Sequence, residues 1–305
     1  MRSPCLRTLS FTPRCPSHHA VVHTTLSFTR GVFSGRPLAS LPRHAQVDDA
    51  LSIELLDDDN VRVWVHIADP TRYVRRGSAL EIEARRRGST IYLPTGSIPM
   101  FPIDLAAGPL SLRPGVASCA LSIGVVLDAD GAIDEAHPPI ITPSTVRVRR
   151  LTYQQVDAAL APLDQTTEEP ADGDGAAARA PTAEEVEVLR RLEWLSRNRL
   201  AWRVAGGSME RIAPVGLPDM SIKARRHDAI DGGAAGEADE SGWSVSVSTG
   251  GAAPEGGARR IVTEGMLLAG EAVATYGVVH NVPLAFRSQT VSRRAPTREM
   301  PRGPR

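Results

Sequence analysis

Residues 61–68 alternate strictly. Val61, Val63, Val65 and Ile67 face one way, and Arg62, Trp64 and His66 face the other. A two-residue period of this kind predicts a strand. The apolar run LSIELL at 51–56 precedes it, and the turn-prone residues 57–60 lie between. The two runs therefore predict an antiparallel hairpin. ASCALSIGVVLD (117–128) and AIDEAHPPIIT (132–142) flank 129–131 as a second hairpin, and TVRVRRL (145–151) continues as a strand.

Other stretches carry helical signals. Residues 79–87 end at Gly88, a natural helix stop. Thr152 reads as the N-cap of TYQQVDAAL, and Thr182 with Glu185 forms a capping-box pattern. The helix that Thr182 opens runs to Gly206–Gly207. Its core face is predicted at Val186, Leu189, Leu192 and Leu195. Arg190, Arg197 and Arg203 fall largely off that stripe, which predicts a solvated face ahead of an RNA-phosphate face. Thr263 is the predicted cap of a last helix, EGMLLAGEAVATYGVV. Residues 164–181 lack an apolar period and 227–258 are rich in Gly, Ala and Ser, so both read as flexible insertions, and 290–305 reads as a disordered tail. Strands and helices together predict an α/β chain of the α+β kind.

Composition narrows the picture. With 305 residues the chain is long enough for a sizeable core. Lys plus Arg and Asp plus Glu each number 35, so no net field draws nucleic acid and any basic surface must be local. Lys223 is the sole lysine. Arginine suits phosphate, but the abundance of Ala, Gly and Pro makes GC-rich coding the better account of the skew. No apolar run approaches the ~20 residues needed to span a bilayer. Cys5, Cys15 and Cys119 form no CxxC, which argues against a structural zinc site. Cys119 sits in an apolar run and reads as a small hydrophobe. Residues 1–47 hold no Asp or Glu, six arginines and four histidines. That fits a mitochondrial or chloroplast transit segment over 1–46. A mispredicted coding stretch is the alternative.

Asp48 and Asp49 stand side by side at the mouth of the first strand. Adjacent carboxylates feeding a rigid sheet suit a hard cation, although two rarely hold Mg2+ unaided. The ordinary alternative is a pair of solvated turn residues. The phrases DDALSIE, VWVHIADPTRYV and RRRGSTIYLPTGSIPMFPIDLAAGPLSLRPG surround the pair in order. Together they resemble the catalytic RNB domain of the ribonuclease II/ribonuclease R family. The resemblance is close over 47–160 and returns in RRIVTEGMLLAGEAVATYGVVHNVPLAFRSQ at 259–289.

That resemblance implies an RNB catalytic domain over 47–289, with a mixed β-sheet and packed helices, that degrades single-stranded RNA from its 3′ end to nucleoside 5′-monophosphates, using Mg2+ or Mn2+. It implies a monomer with RNA as partner and no membrane association. The family's metal site uses four acids spaced D-x5-D-x-D-D. Asp48 and Asp49 match the last two, while Gln46 and Ser40 stand where the others belong. Tyr92 matches a tyrosine that stacks on RNA, Tyr153 one that clamps the terminal nucleotides, and Glu264 a glutamate at the RNA end. His66 and Asp69 are expected to orient the strand end. The family's later arginine segment, SPIRRYxD, has no counterpart after Arg287, and its flanking OB-type and S1-type domains have no room. The domain is therefore expected to be incomplete at its C-terminal end. A non-catalytic RNA-binding remnant and a truncated gene product remain as alternative readings.

Overall fold

A computed structural model of the chain describes residues 25–29, 47–57, 60–161, 180–206, 219–226, 243–250 and 256–286. Six strands form one sheet: β1 (Thr25–Thr29), β2 (Asp49–Leu55), β3 (Val61–Ala68), β6 (Ser118–Val126), β7 (Ile140–Val146) and β8 (Val148–Thr152). Their spatial order is β7-β6-β3-β2-β1-β8. Neighbours are antiparallel except β1 and β8, so the sheet is mixed. The two outermost strands are consecutive in the chain, separated by Arg147 alone. Cα atoms two residues apart lie within about 7.6 Å. The sheet therefore curls until its two edges meet at this corner, where the Arg147 guanidinium donates to the Gly115 carbonyl at 2.9 Å.

Between the first and second halves of the sheet run helix α1 (Ala79–Arg87), the short hairpin β4 (Ile91–Leu93) and β5 (Gly96–Ile98), and the turn-long α2 (Ile103–Ala106). Gly88 ends α1 with φ +73, a backbone angle that L side chains rarely adopt. Three helices then cover one sheet face: α3 (Tyr153–Leu160), α4 (Ala183–Ala205) and α5 (Gly257–Val279). Capping boxes at Thr152/Gln155 and Thr182/Glu185 open α3 and α4. Leu26, Leu51, Val63, Val65, Ile123 and Val125 of the sheet bury against Leu189, Leu192 and Leu195 of α4 and Ile261, Leu268 and Ala272 of α5. A smaller cluster of Val47, Ala50, Leu112, Ala120, Val146 and Val148 fills the opposite face.

Several expectations change. Part of the supposed leader, Thr25–Thr29, is a strand between β2 and β8, and Leu26 is fully buried. Its L-S-F alternation was too short to stand out in an acid-free stretch. The 227–258 region is not wholly an insertion: β9 (Asp219–Arg226) pairs along its whole length with β10 (Trp243–Gly250). Helix α5 begins at Gly257, six residues before Thr263, because the Asp157 carboxylate of α3 accepts from the Ala258 amide and satisfies the helix start from outside. Strand β7 starts only at Ile140, since Asp134 accepts from the Ala136 and His137 amides in a second turn, and Pro138 and Pro139 have no N–H to give the ladder. TVRVRRL breaks at Arg147 into two strands. On α4 the buried apolar positions are Val188, Leu189, Leu192 and Leu195, with Val186 half-buried. The stripe drifts by one residue, as a 3.6-residue turn requires. The insertion at 164–181 falls almost entirely outside the described residues, and the tail 290–305 falls wholly outside them, as do Ser40 and Gln46.

Candidate active site

Asp48 and Asp49 sit at the entrance of β2. Val47 anchors them from behind: its amide donates to Ser111 Oγ at 2.8 Å, its carbonyl accepts from the Leu112 amide at 2.8 Å, and the Asp48 carbonyl accepts from the Ala68 amide at 2.8 Å. The backbone under the pair is thus tied to two other segments. Side chains alternate along β2, so Asp48 lies on the face of Ala50 and Ser52, and Asp49 on the helix-covered face of Leu51. Asp48 is exposed and Asp49 half-buried. Burial pushes the Asp49 carboxyl above its ordinary value, and the neighbouring Asp48 charge pushes it the same way. With the two carboxylates on opposite faces, a divalent cation on Asp49 would draw the rest of its oxygen shell from water and a substrate phosphate; a closed all-protein cage does not fit. Among the described residues no group of three or more His, Cys, Asp or Glu is placed to hold a metal.

Glu264 lies on α5 next to Gly265. A Cβ on that glycine would come within 3.1 Å of the Leu51 side chain, two residues along β2 from Asp49. Glu264 is only 4% exposed. Arg203 of α4 donates to its Oε1 at 2.6 Å, while Oε2 has no hydrogen-bond partner. Arg203, expected on a solvated face, therefore turns inward, because a buried carboxylate without a cation is costly. One turn earlier Arg199, 1% exposed, donates to the Gly131 carbonyl at 3.0 Å and pairs with Glu271. Neither inward role was anticipated. The signal was present, since Val188, Leu192, Leu195, Arg199 and Arg203 follow one another at spacings of three and four. Arg190 and Arg197 are exposed, and Arg197 pairs with Glu193.

Tyr153 is the first residue of α3 and packs against the main core, on the same helix side as Asp49 and Glu264. Tyr92 stands apart on β4, 80% exposed. The structure thus groups Asp49, Tyr153 and Glu264 on one side of the sheet, places Asp48 on the other, and leaves Tyr92 on an outlying hairpin. Asp69 accepts from the Thr71 amide at 3.0 Å and from the Arg72 guanidinium at 3.0 Å, closing the turn after β3.

The model of the RNB domain family matches residues 42–301. The chain belongs to the RNB domain family. An uncharacterised ribonuclease of Synechocystis is 34% identical over 246 residues, covering 80% of this chain and 30% of that protein. Ribonuclease II, chloroplastic/mitochondrial, of Arabidopsis thaliana is 34% identical over 255 residues, covering 81% of this chain and 26% of its own length. The chain thus spans less than a third of these two relatives. RNase R of Mycoplasma genitalium, solved in complex with double-stranded RNA, superposes with a TM-score of 0.57 at 19% identity, over 86% of this chain and 38% of that one. That likeness shows the RNB fold, and the α+β architecture described above agrees with it.

Proposed function

We propose that this RNB domain chain is a metal-dependent exoribonuclease that removes nucleoside 5′-monophosphates from the 3′ end of single-stranded RNA. Its family membership supports the reaction class. The observation that carries the site is the Asp48–Asp49 pair on an anchored strand end, with Asp49 pushed toward protonation by burial and by its neighbour. Asp49 is the direct ligand of a Mg2+ or Mn2+ ion and Asp48 its companion. A cation bound there supplies charge to the reacting phosphate and makes water a better nucleophile. Tyr92 offers an exposed face for base stacking, and Tyr153 positions the terminal nucleotides. Glu264 keeps a buried oxygen without a partner, an arrangement that calls for a ligand or water. The chloroplastic/mitochondrial relative, with the acid-free residues 1–24, supports an organellar location. Among the described residues no helix is long and apolar enough to cross a membrane.

A second reading, RNA binding without turnover, is favoured by the two acids standing where the family uses four. Incubating the full chain with 3′-extended single-stranded RNA and Mg2+ or Mn2+ separates the two. Monophosphate release that Asp49→Asn removes supports the enzyme. Binding with no release in either metal supports the remnant.

A further inference from the structure

The sheet face away from the helices carries a chain of polar side chains, of which only His66 has been given a role, orienting the strand end. His66 is fully buried, with Ser52 and Ser122 at 0% exposure and Ser144 at 2%. Ser52 Oγ lies 2.9 Å from His66 Nε2, and Ser122 Oγ lies 2.6 Å from His66 Nδ1. Ser122 Oγ is 2.5 Å from Ser144 Oγ, which donates to the Ala120 carbonyl at 3.4 Å. Each link uses one proton. With the Ser144 proton spent on the carbonyl, Ser122 donates to Ser144, Nδ1–H donates to Ser122, and Ser52 donates to Nε2. The chain crosses β2, β3, β6 and β7.

We propose that this buried polar face sets the register of β2, β3 and β6, and that His66 is the positioning residue that keeps Asp49 in place. The inference rests on the site reading given above. The apolar face cannot do this job alone. Val63 opposes Val125, Val65 opposes Ile123 and Ile67 opposes Leu121. A slip of two residues leaves apolar opposite apolar, so hydrophobic alternation does not oppose it. The polar face does. After such a slip His66 faces Ala120 or Gly124, neither of which has a hydroxyl. Trp64 now faces Gly124, where a Cβ would come 2.8 Å from the indole. A slip sets it against Ser122 or Val126 instead. On the β2 side, Glu54 accepts from Trp64 Nε1 at 2.8 Å and from Arg62 at 3.0 Å. β2 and β3 form one hairpin, closed by the Leu56 amide donating to the Asn60 carbonyl, so a two-residue slip of β3 against β6, about 6.6 Å, carries Asp49 with it out of line with Glu264 and Tyr153. A buried polar pair that selects register against an otherwise permissive apolar pattern has precedent in coiled coils.

The test uses the full chain as wild type, as His66→Leu/Ser122→Ala, as Ser122→Ala alone, and as Asp49→Asn. Mn2+ binding is read by electron paramagnetic resonance, folding by thermal unfolding, and register by the Gly124 amide resonance in glycine-labelled protein. The double variant is expected to unfold cooperatively, to show more than one Gly124 resonance, and to bind Mn2+ about 10-fold more weakly, the scale of outer-shell effects on metal sites. If the double variant does not fold, Ser122→Ala carries the same expectations. A single Gly124 resonance with wild-type Mn2+ affinity in the folded variants overturns the proposal. Wild type that binds Mn2+ no better than Asp49→Asn defeats the metal-site reading instead, and the Gly124 resonance still decides the register.

Discussion

The two faces of the six-stranded sheet solve different problems with the same strands. The helix-covered face is apolar, and its polar intruders, Arg199, Arg203, Glu264 and Glu271, are paired across α4 and α5. The opposite face buries serines and a histidine in a hydrogen-bonded row, beside a tryptophan that donates to Glu54. The first face supplies cohesion, because burial of apolar area is strong but has no direction. The second supplies position, because hydrogen bonds are directional and costly to leave unmade. The acidic pair sits at the end of β2 with one carboxylate on each face. Its usefulness depends on both.

The comparison breaks first at the ion pair on the helix side. Arg203→Ala leaves Glu264 buried without its cation, which costs about 3 kcal/mol. Chemical denaturation should show that loss, and Arg203→Ala/Glu264→Leu should recover most of it. If the single variant costs nothing, the helix side does not need its charges paired.

On the other face, Gly124→Ala forces a methyl against the Trp64 ring and the Arg62 stem, at 2.8 and 2.9 Å before relaxation. Overpacking of this kind costs about 1–3 kcal/mol. A thermal transition unchanged from wild type would show that the polar face has slack.

Tyr92→Ala sharpens the contrast between both faces and the outlying hairpin. The residue is so exposed that stability should stay within about 0.5 kcal/mol of wild type. RNA affinity should fall by about 1–3 kcal/mol, the worth of one stacked base. Fluorescence titration with a labelled oligonucleotide reads this directly. Lost stability with unchanged RNA affinity would make Tyr92 a structural residue.

How far the sequence anticipated these features follows the same division. The β2–β3 hairpin, α1 with its Gly88 stop, and both capping boxes were legible because each depends on neighbours in the chain. The curl of the sheet at Arg147 was not, since it needs β1, which pairs β2 with β8 from a distant segment. The start of α5 was missed for a related reason: its cap is the carboxylate of Asp157, about a hundred residues away. Of the candidate site, Asp48 and Asp49 were visible as a pair and through the family phrases around them. The inward turn of Arg203 toward Glu264 was hidden because an arginine on a helix reads as solvated until its partner is known. The serine row was hidden for the opposite reason. Ser52, Ser122 and Ser144 look like surface residues of alternating strands, and only in the folded sheet are they buried against His66 and one another.

The central claim is that Asp49 holds a divalent cation for hydrolysis of RNA. Its raised carboxyl fixes the sign of the pH dependence. Protons compete with the cation, so affinity should fall as pH drops through the raised Asp49 value. Without cation, the folded state binds that proton more tightly than the unfolded chain, so stability should decline as pH rises through the same window. The most direct test is monophosphate release from single-stranded RNA by wild type and Asp49→Asn, with Mg2+ and with chelator. The account predicts release by wild type only with metal, and a loss of at least about 100-fold in Asp49→Asn, equal to about 2.7 kcal/mol of barrier, with metal-free thermal stability at neutral pH no lower than that of wild type, since the variant removes a disfavoured charge. Equal release by both proteins, or release that survives the chelator, would contradict it.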